Sequence, residues 1–140
     1  MTPIHLTTGD DARLGGIDLT ISLTPAQAKA ISSDAALMAD WVHSALIAMA
    51  MLRTGCETAG PAEWQHAITD VDQHLLPRVQ GIRDALIRAH ADTGGTVQAL
   101  ADAMAVARST AQHRRQVVTR TSPSTWETWA KTDSPEPTSD

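Results

Sequence analysis

Six histidines, one cysteine and a set of arginines are the side chains of greatest chemical reach in this sequence. His5, His43, His66, His74, His90 and His113 include no i, i+4 pair and no His-Glu-x-x-His arrangement, so the usual helical zinc ligation pattern is missing. His66 and His74 are eight residues apart with Asp70 midway, which one unbroken helix could gather into three ligands. A solvated polar face accounts for the same residues more simply. Cys56 stands beside Glu57 in a loop with no basic neighbour to lower its pKa, which argues against a nucleophile. Gly94-Gly95 lacks the lysine of a phosphate-binding loop, and Asp70 and Asp72 point to different sides of a helix. The expectation is a protein that is not an enzyme, with no metal ligands and no cofactor.

The arginines are distributed unevenly. Net charge is −5, from 11 Lys+Arg against 16 Asp+Glu. Residues 1–75 hold nine acids and three bases, whereas residues 76–130 hold seven arginines and four acids. From Ala103 through Trp126 there are four arginines and no acid. A polyanion should therefore meet the second half of the chain, where charge favours it. A single cysteine forbids an intrachain disulfide, and no uninterrupted apolar run of 18 residues suggests a span or a signal peptide. A cytoplasmic protein with no membrane partner is the expectation.

The elements that must carry these side chains are mostly helical. Alanine supplies 23 residues, and Phe, Tyr and Asn are missing, which suits closely packed helices. Residues 1–15 read as a flexible arm. Ile17, Leu19, Ile21 and Leu23 alternate with Asp18, Thr20 and Ser22, a strand signal. Thr24-Pro25 reads as a helix cap followed by proline in the first turn, opening a short helix to Ser32. From Asp34 to Leu52 only Asp34, Asp40, His43 and Ser44 are polar, so this helix must be covered on nearly all sides, in part by a second subunit. Helices are expected from Ala62 to His74 and from Arg78 to His90, with Pro77 marking a boundary and Gly94-Gly95 a stop. Trp126 and Trp129 suit a short C-terminal helix capped by Ser124 or Thr125. Residues 131–140 read as a disordered tail.

Thr96 to Val118 is the stretch of highest specificity. Val97, Leu100, Ala101 and Met104 share one helix face, Ala105-Val106-Ala107 follows, and Arg108-Ser109-Thr110 opens a second helix. Over residues 78–118 the chain resembles the helix-turn-helix proteins of bacterial transcriptional regulation. Ala105 departs from the glycine usual at the turn, and Arg114 takes a position that is often apolar. The resemblance implies that Ala101 lies at the close helix crossing, that Arg108, Ser109, Gln112 and His113 face DNA bases, and that Thr110 belongs to the same DNA-binding set. It implies phosphate contacts for Arg114, Arg115 and Arg120. A fainter likeness to ribbon-helix-helix proteins rests on the strand, Pro25 and the segment Asp40 to Leu46. There the strand's polar face, Asp18, Thr20 and Ser22, ill suits phosphates.

The fold expected is mainly α, with one short N-terminal β-strand and a C-terminal three-helix helix-turn-helix unit. Residues 16–75 would assemble a homodimer and residues 76–130 would bind double-stranded DNA. The role expected is sequence-specific transcriptional control or regulation of a plasmid or phage replicon. The alternative is a non-catalytic helical oligomerisation or protein-interaction module.

Overall fold

The N-terminal segment expected as a loose arm carries a strand. In a computed structural model describing residues 3–55 and 59–131, β1 (Ile4–Thr8) pairs antiparallel with β2 (Ile17–Ile21). The register sets Ile4 opposite Ile21, Leu6 opposite Leu19 and Thr8 opposite Ile17. Isoleucine and leucine therefore share one face of the ribbon, with His5, Thr7, Asp18 and Thr20 on the other, because strand side chains alternate. Two apolar residues in β1 are too short a pattern to separate from a coil. The single strand expected from sequence is thus half of a hairpin, paired within its own chain. A turn at Gly9–Asp11 starts the connection, and Gly9 and Gly15 hold φ of +65° and +76°, where a Cβ is disfavoured. The Arg13 amide donates to the Asp18 carboxylate at 2.8 Å, so Asp18 serves the hairpin itself.

The chain divides into two compact units, residues 1–35 and 36–140. Unit 1 ends with α1 (Pro25–Ile31), opened by a capping box in which Thr24 Oγ1 accepts from the Gln27 amide and Gln27 Oε1 from the Thr24 amide. The long helix α2 (Asp34–Thr54) follows, and none of its residues is fully buried. At 21 residues it is long and apolar enough, by length and composition, to cross a bilayer, although its sequence holds no unbroken apolar run.

In unit 2, Pro77 does not end a helix. α3 (Pro61–Thr69), a π-helical segment (Asp70–Leu75) and α4 (Leu76–Asp92) run on continuously. A proline ring collides with the carbonyl four residues back and cannot donate a hydrogen bond. The wide π turn, closed by the Leu76 amide donating to the Val71 carbonyl, accommodates that defect without breaking the rod. The remaining helices are α5 (Val97–Met104), α6 (Arg108–Arg120) and α7 (Thr125–Lys131). Their core is small: Ile87, Leu100, Ala101, Ala111 and Val118, with Val97, Met104 and Val106 packed against it.

α7 closes this core from the side of α4. Ser124 Oγ caps it by accepting from the Glu127 amide at 3.1 Å. Gly81 of α4 lies beneath the backbone of Trp126, where an added Cβ would stand 2.6 Å from the Trp126 carbonyl carbon and oxygen. Alanine ordinarily favours a helix interior over glycine by about 1 kcal/mol. Here the Gly81→Ala substitution is expected to destabilise by about 1–3 kcal/mol, because α7 must move. Urea unfolding followed by tryptophan fluorescence measures it; equal or higher stability would mean that α7 is not seated on Gly81.

Candidate nucleic-acid interface

α5 begins where Thr96 Oγ1 accepts from the Ala99 amide at 3.1 Å. It ends at Ala105, whose φ of +54° and ψ of +44° place an alanine in the left-handed region. That conformation is the one glycine usually supplies, and it costs alanine about 1 kcal/mol. The turn is held by the Val106 amide donating to the Ala101 carbonyl at 3.1 Å. Ala101 and Ala111 are 2% and 0% exposed within the core cluster that joins the two helices. Larger side chains at either position would separate them.

The outer surface of α6 follows from that contact. With Ala111 and Val118 facing inward, Arg108, Ser109, Thr110, Gln112, His113 and Arg120 are exposed, while Arg114 and Arg115 are half-buried. Ala107 at the start of α6 provides no side-chain cap, which leaves the first amides of the helix to an outside acceptor. No acid occurs anywhere in α6.

Arg115, expected at a phosphate, also makes a contact within the fold. Its Nη1 donates to the Gly95 carbonyl at 2.8 Å, tying α6 to the connection before α5. The same Gly95 lies against the His90 ring, where a Cβ would overlap it. Arg115 thus positions α6 within the fold.

Two further arginines from the basic half point inward. Arg88 on α4 donates through Nε to Glu127 at 2.5 Å and through Nη2 to the carbonyls of Val118 and Thr121 at 2.6 and 3.1 Å. One guanidinium therefore joins α4, the C-terminal end of α6 and α7. The hydrogen bond to Glu127 raises the Arg88 pKa despite the opposing effect of burial, so the cation persists. Arg78 is 1% exposed. Its guanidinium carbon lies 3.9 Å from the ring centre of Trp41 and 4.3 Å from that of Trp126, with Trp129 at 5.7 Å. Nη1 donates to the His74 carbonyl at 2.8 Å, and the His74 ring stacks on Trp41. Flat guanidinium faces pack on aromatic rings at little desolvation cost, which suits arginine to this site.

Sequence reasoning assigned neither interior role. The one available signal was Glu127, the single acid between Asp102 and Asp133, in a stretch otherwise basic. His66 and His74, the two ends of the three-ligand arrangement considered from sequence, part company. His66 lies 3.6 Å from Asp70, and His74 turns to Trp41. Among the described residues no group of three His, Cys, Asp or Glu side chains is placed to hold a metal ion. Cys56 and Glu57, and the tail beyond residue 131, lie outside the described residues.

Glu127→Gln should destabilise the chain by about 1–3 kcal/mol, since it leaves the half-buried Arg88 cation without its counter-charge. Guanidinium chloride unfolding at neutral pH gives the value; a change under 1 kcal/mol would mean that the pair is solvent-screened. No protein-family model matches this chain, and no curated protein or solved structure matches it.

Proposed function

We propose that this chain is a sequence-specific DNA-binding protein that presents α6 to the major groove in the manner of a helix-turn-helix. On this reading it is a dimeric regulator of transcription or of a plasmid or phage replicon. The observation that carries the reading is the outer face of α6. Arg108, Ser109, Gln112 and His113 are exposed together on a helix free of acids, fixed from beneath by Ala111 and Val118. A helix of this width fits the major groove of B-form DNA, where glutamine pairs with adenine edges and arginine with guanine edges.

Arg108 and Gln112 lie four residues apart, so they rise from one face and address neighbouring base pairs. Ser109 and the uncapped amides at the start of α6 suit a backbone phosphate. Arg114 and Arg120 supply further phosphate contacts, the former with its stem packed down and its charged end outward. Arg115 has part of its donor set committed to Gly95, so its contribution is orientation of the helix.

The acidity of the rest of the molecule limits non-specific attraction. With a net charge of −5 and few phosphate contacts, affinity for random DNA should be low and fall further as salt rises. Arg114→Ala should weaken binding to all sequences and reduce the slope of log affinity against log salt by about 1. Gln112→Ala should instead cost about 1–3 kcal/mol at the preferred site and little elsewhere. Selection from a random duplex pool followed by gel-shift titration at two salt concentrations reads both. If neither substitution alters binding, α6 is not the recognition helix. If wild type shows no salt-sensitive retardation, a protein-interaction role replaces the DNA reading.

A further inference from the structure

We infer that His90 is a positioning residue for the DNA-facing side of α6: its ring holds the Gly95 peptide where the Gly95 carbonyl grips Arg115. That role presupposes the DNA-binding reading of α6 and adds what fixes the angle at which the helix is presented. Two adjacent glycines, Gly94 and Gly95, join α4 to α5, and glycine is the least restrained of residues. Yet they must present one carbonyl in a fixed direction. α4 ends there in a Schellman motif. The Gly95 amide donates to the His90 carbonyl at 2.8 Å and the Gly94 amide to the Ala91 carbonyl at 3.1 Å. Gly94 has a φ of +87°, in the left-handed region that the motif requires. Thr93 Oγ1 also donates to the His90 carbonyl, at 3.1 Å.

The glycine at 94 answers to its own φ, whereas the glycine at 95 answers to His90. Gly95 is not among the glycines of positive φ, so its backbone alone would admit alanine. The Cε1, Nε2 and Cδ2 atoms of His90 fill the space that a Cβ there would take. These two positions of a Schellman motif ordinarily meet through an apolar contact, and here a flat ring lies on a residue with no side chain. Nδ1 of that ring is buried and has no hydrogen-bond partner among the described residues. The ring therefore acts on Gly95 by its shape.

The same residue is held from α6, where Arg115 Nη1 donates to the Gly95 carbonyl at 2.8 Å. Through Gly95, the end of α4 thus reaches the middle of α6. α4 holds α6 at a second place, where Arg88 Nη2 donates to the Val118 and Thr121 carbonyls. A rod held at one end pivots, and a second point fixes its axis. Ala111 and Val118 set how deep α6 sits in the core. Arg108 lies about 20 Å along the axis from Thr121 at the rise of an α-helix. A tilt of about 5° at Thr121 would move Arg108 by about 2 Å, which undoes a hydrogen bond to a base edge.

Two measurements on the full chain test this, one without DNA. In urea unfolding, the losses in folding equilibrium constant from His90→Ala and Arg115→Ala should fall short of multiplying by about threefold or more. In gel-shift titration of a duplex selected with wild type, at temperatures where circular dichroism shows each variant folded, His90→Ala should raise the dissociation constant about tenfold. The slope against salt should stay unchanged, since no phosphate contact is lost. Arg115→Ala should do the same, and the double variant should be no worse than either. His90→Phe, a flat ring without nitrogens, should stay within about threefold of wild type. Gly95→Ala should match His90→Ala, yet cost almost nothing further in the His90→Ala background, where the ring no longer fills the Cβ space. Multiplying losses, His90→Phe as damaging as His90→Ala, Gly95→Ala tolerated beside His90, or a salt slope lowered by Arg115→Ala would each overturn the assignment. Non-multiplying losses in a wild type that retards no DNA would support the hold on α6 and overturn only the DNA-binding reading.

Discussion

Everything at the C-terminal end of this molecule depends on one guanidinium. Arg88 answers the carboxylate of Glu127 and the terminal carbonyls of α6 at once. Helix ends leave carbonyls unsatisfied, and a cation there meets the negative end of the helix dipole. Glu127 makes that cation tolerable in a place from which water is largely excluded. Without the pair, α7 would lose its charged link to α4, and α6 would lose the anchor at its C-terminal end.

The second inward arginine extends the same logic. Arg78 lies among Trp41, Trp126 and Trp129, which come from α2 and α7. The chain has no Phe or Tyr, so its tryptophans are its entire aromatic stock. Three of the four surround a single cation. That concentration compensates for a core of few buried aliphatic residues, made mostly of alanine, leucine, isoleucine and valine. Packing of this kind depends on shape, since lysine has no flat face to offer the rings.

These interior duties alter the meaning of the charge gradient. Of the seven arginines between residues 76 and 130, Arg78 and Arg88 serve the fold and Arg115 braces the connection before α5. Fewer cations than the composition suggests therefore remain to meet a ligand on this half of the chain. On the DNA-binding reading proposed above, such a small phosphate footprint would yield little affinity by itself.

Local sequence determined where most helices lie. Thr24, Thr96 and Ser124 announce their helices because a short side-chain oxygen can satisfy a terminal amide. The helix pair around Ala105 was likewise legible, since apolar spacing and a three-residue interruption are local signals. Two local readings were incomplete for local reasons. β1 has too few residues to show its alternation, and the π turn before Pro77 hides the continuity of α3 and α4. What only the tertiary structure decided is which charges are turned inward. Arg88 and Glu127 are 39 residues apart, and beyond the isolation of Glu127 as one acid in a basic stretch nothing near either in the chain marks it as different from a solvated surface residue. Burial of a charge is set by the partner that the fold brings to it, so composition could place the arginines in one half of the chain but could not say which of them remain available to a ligand.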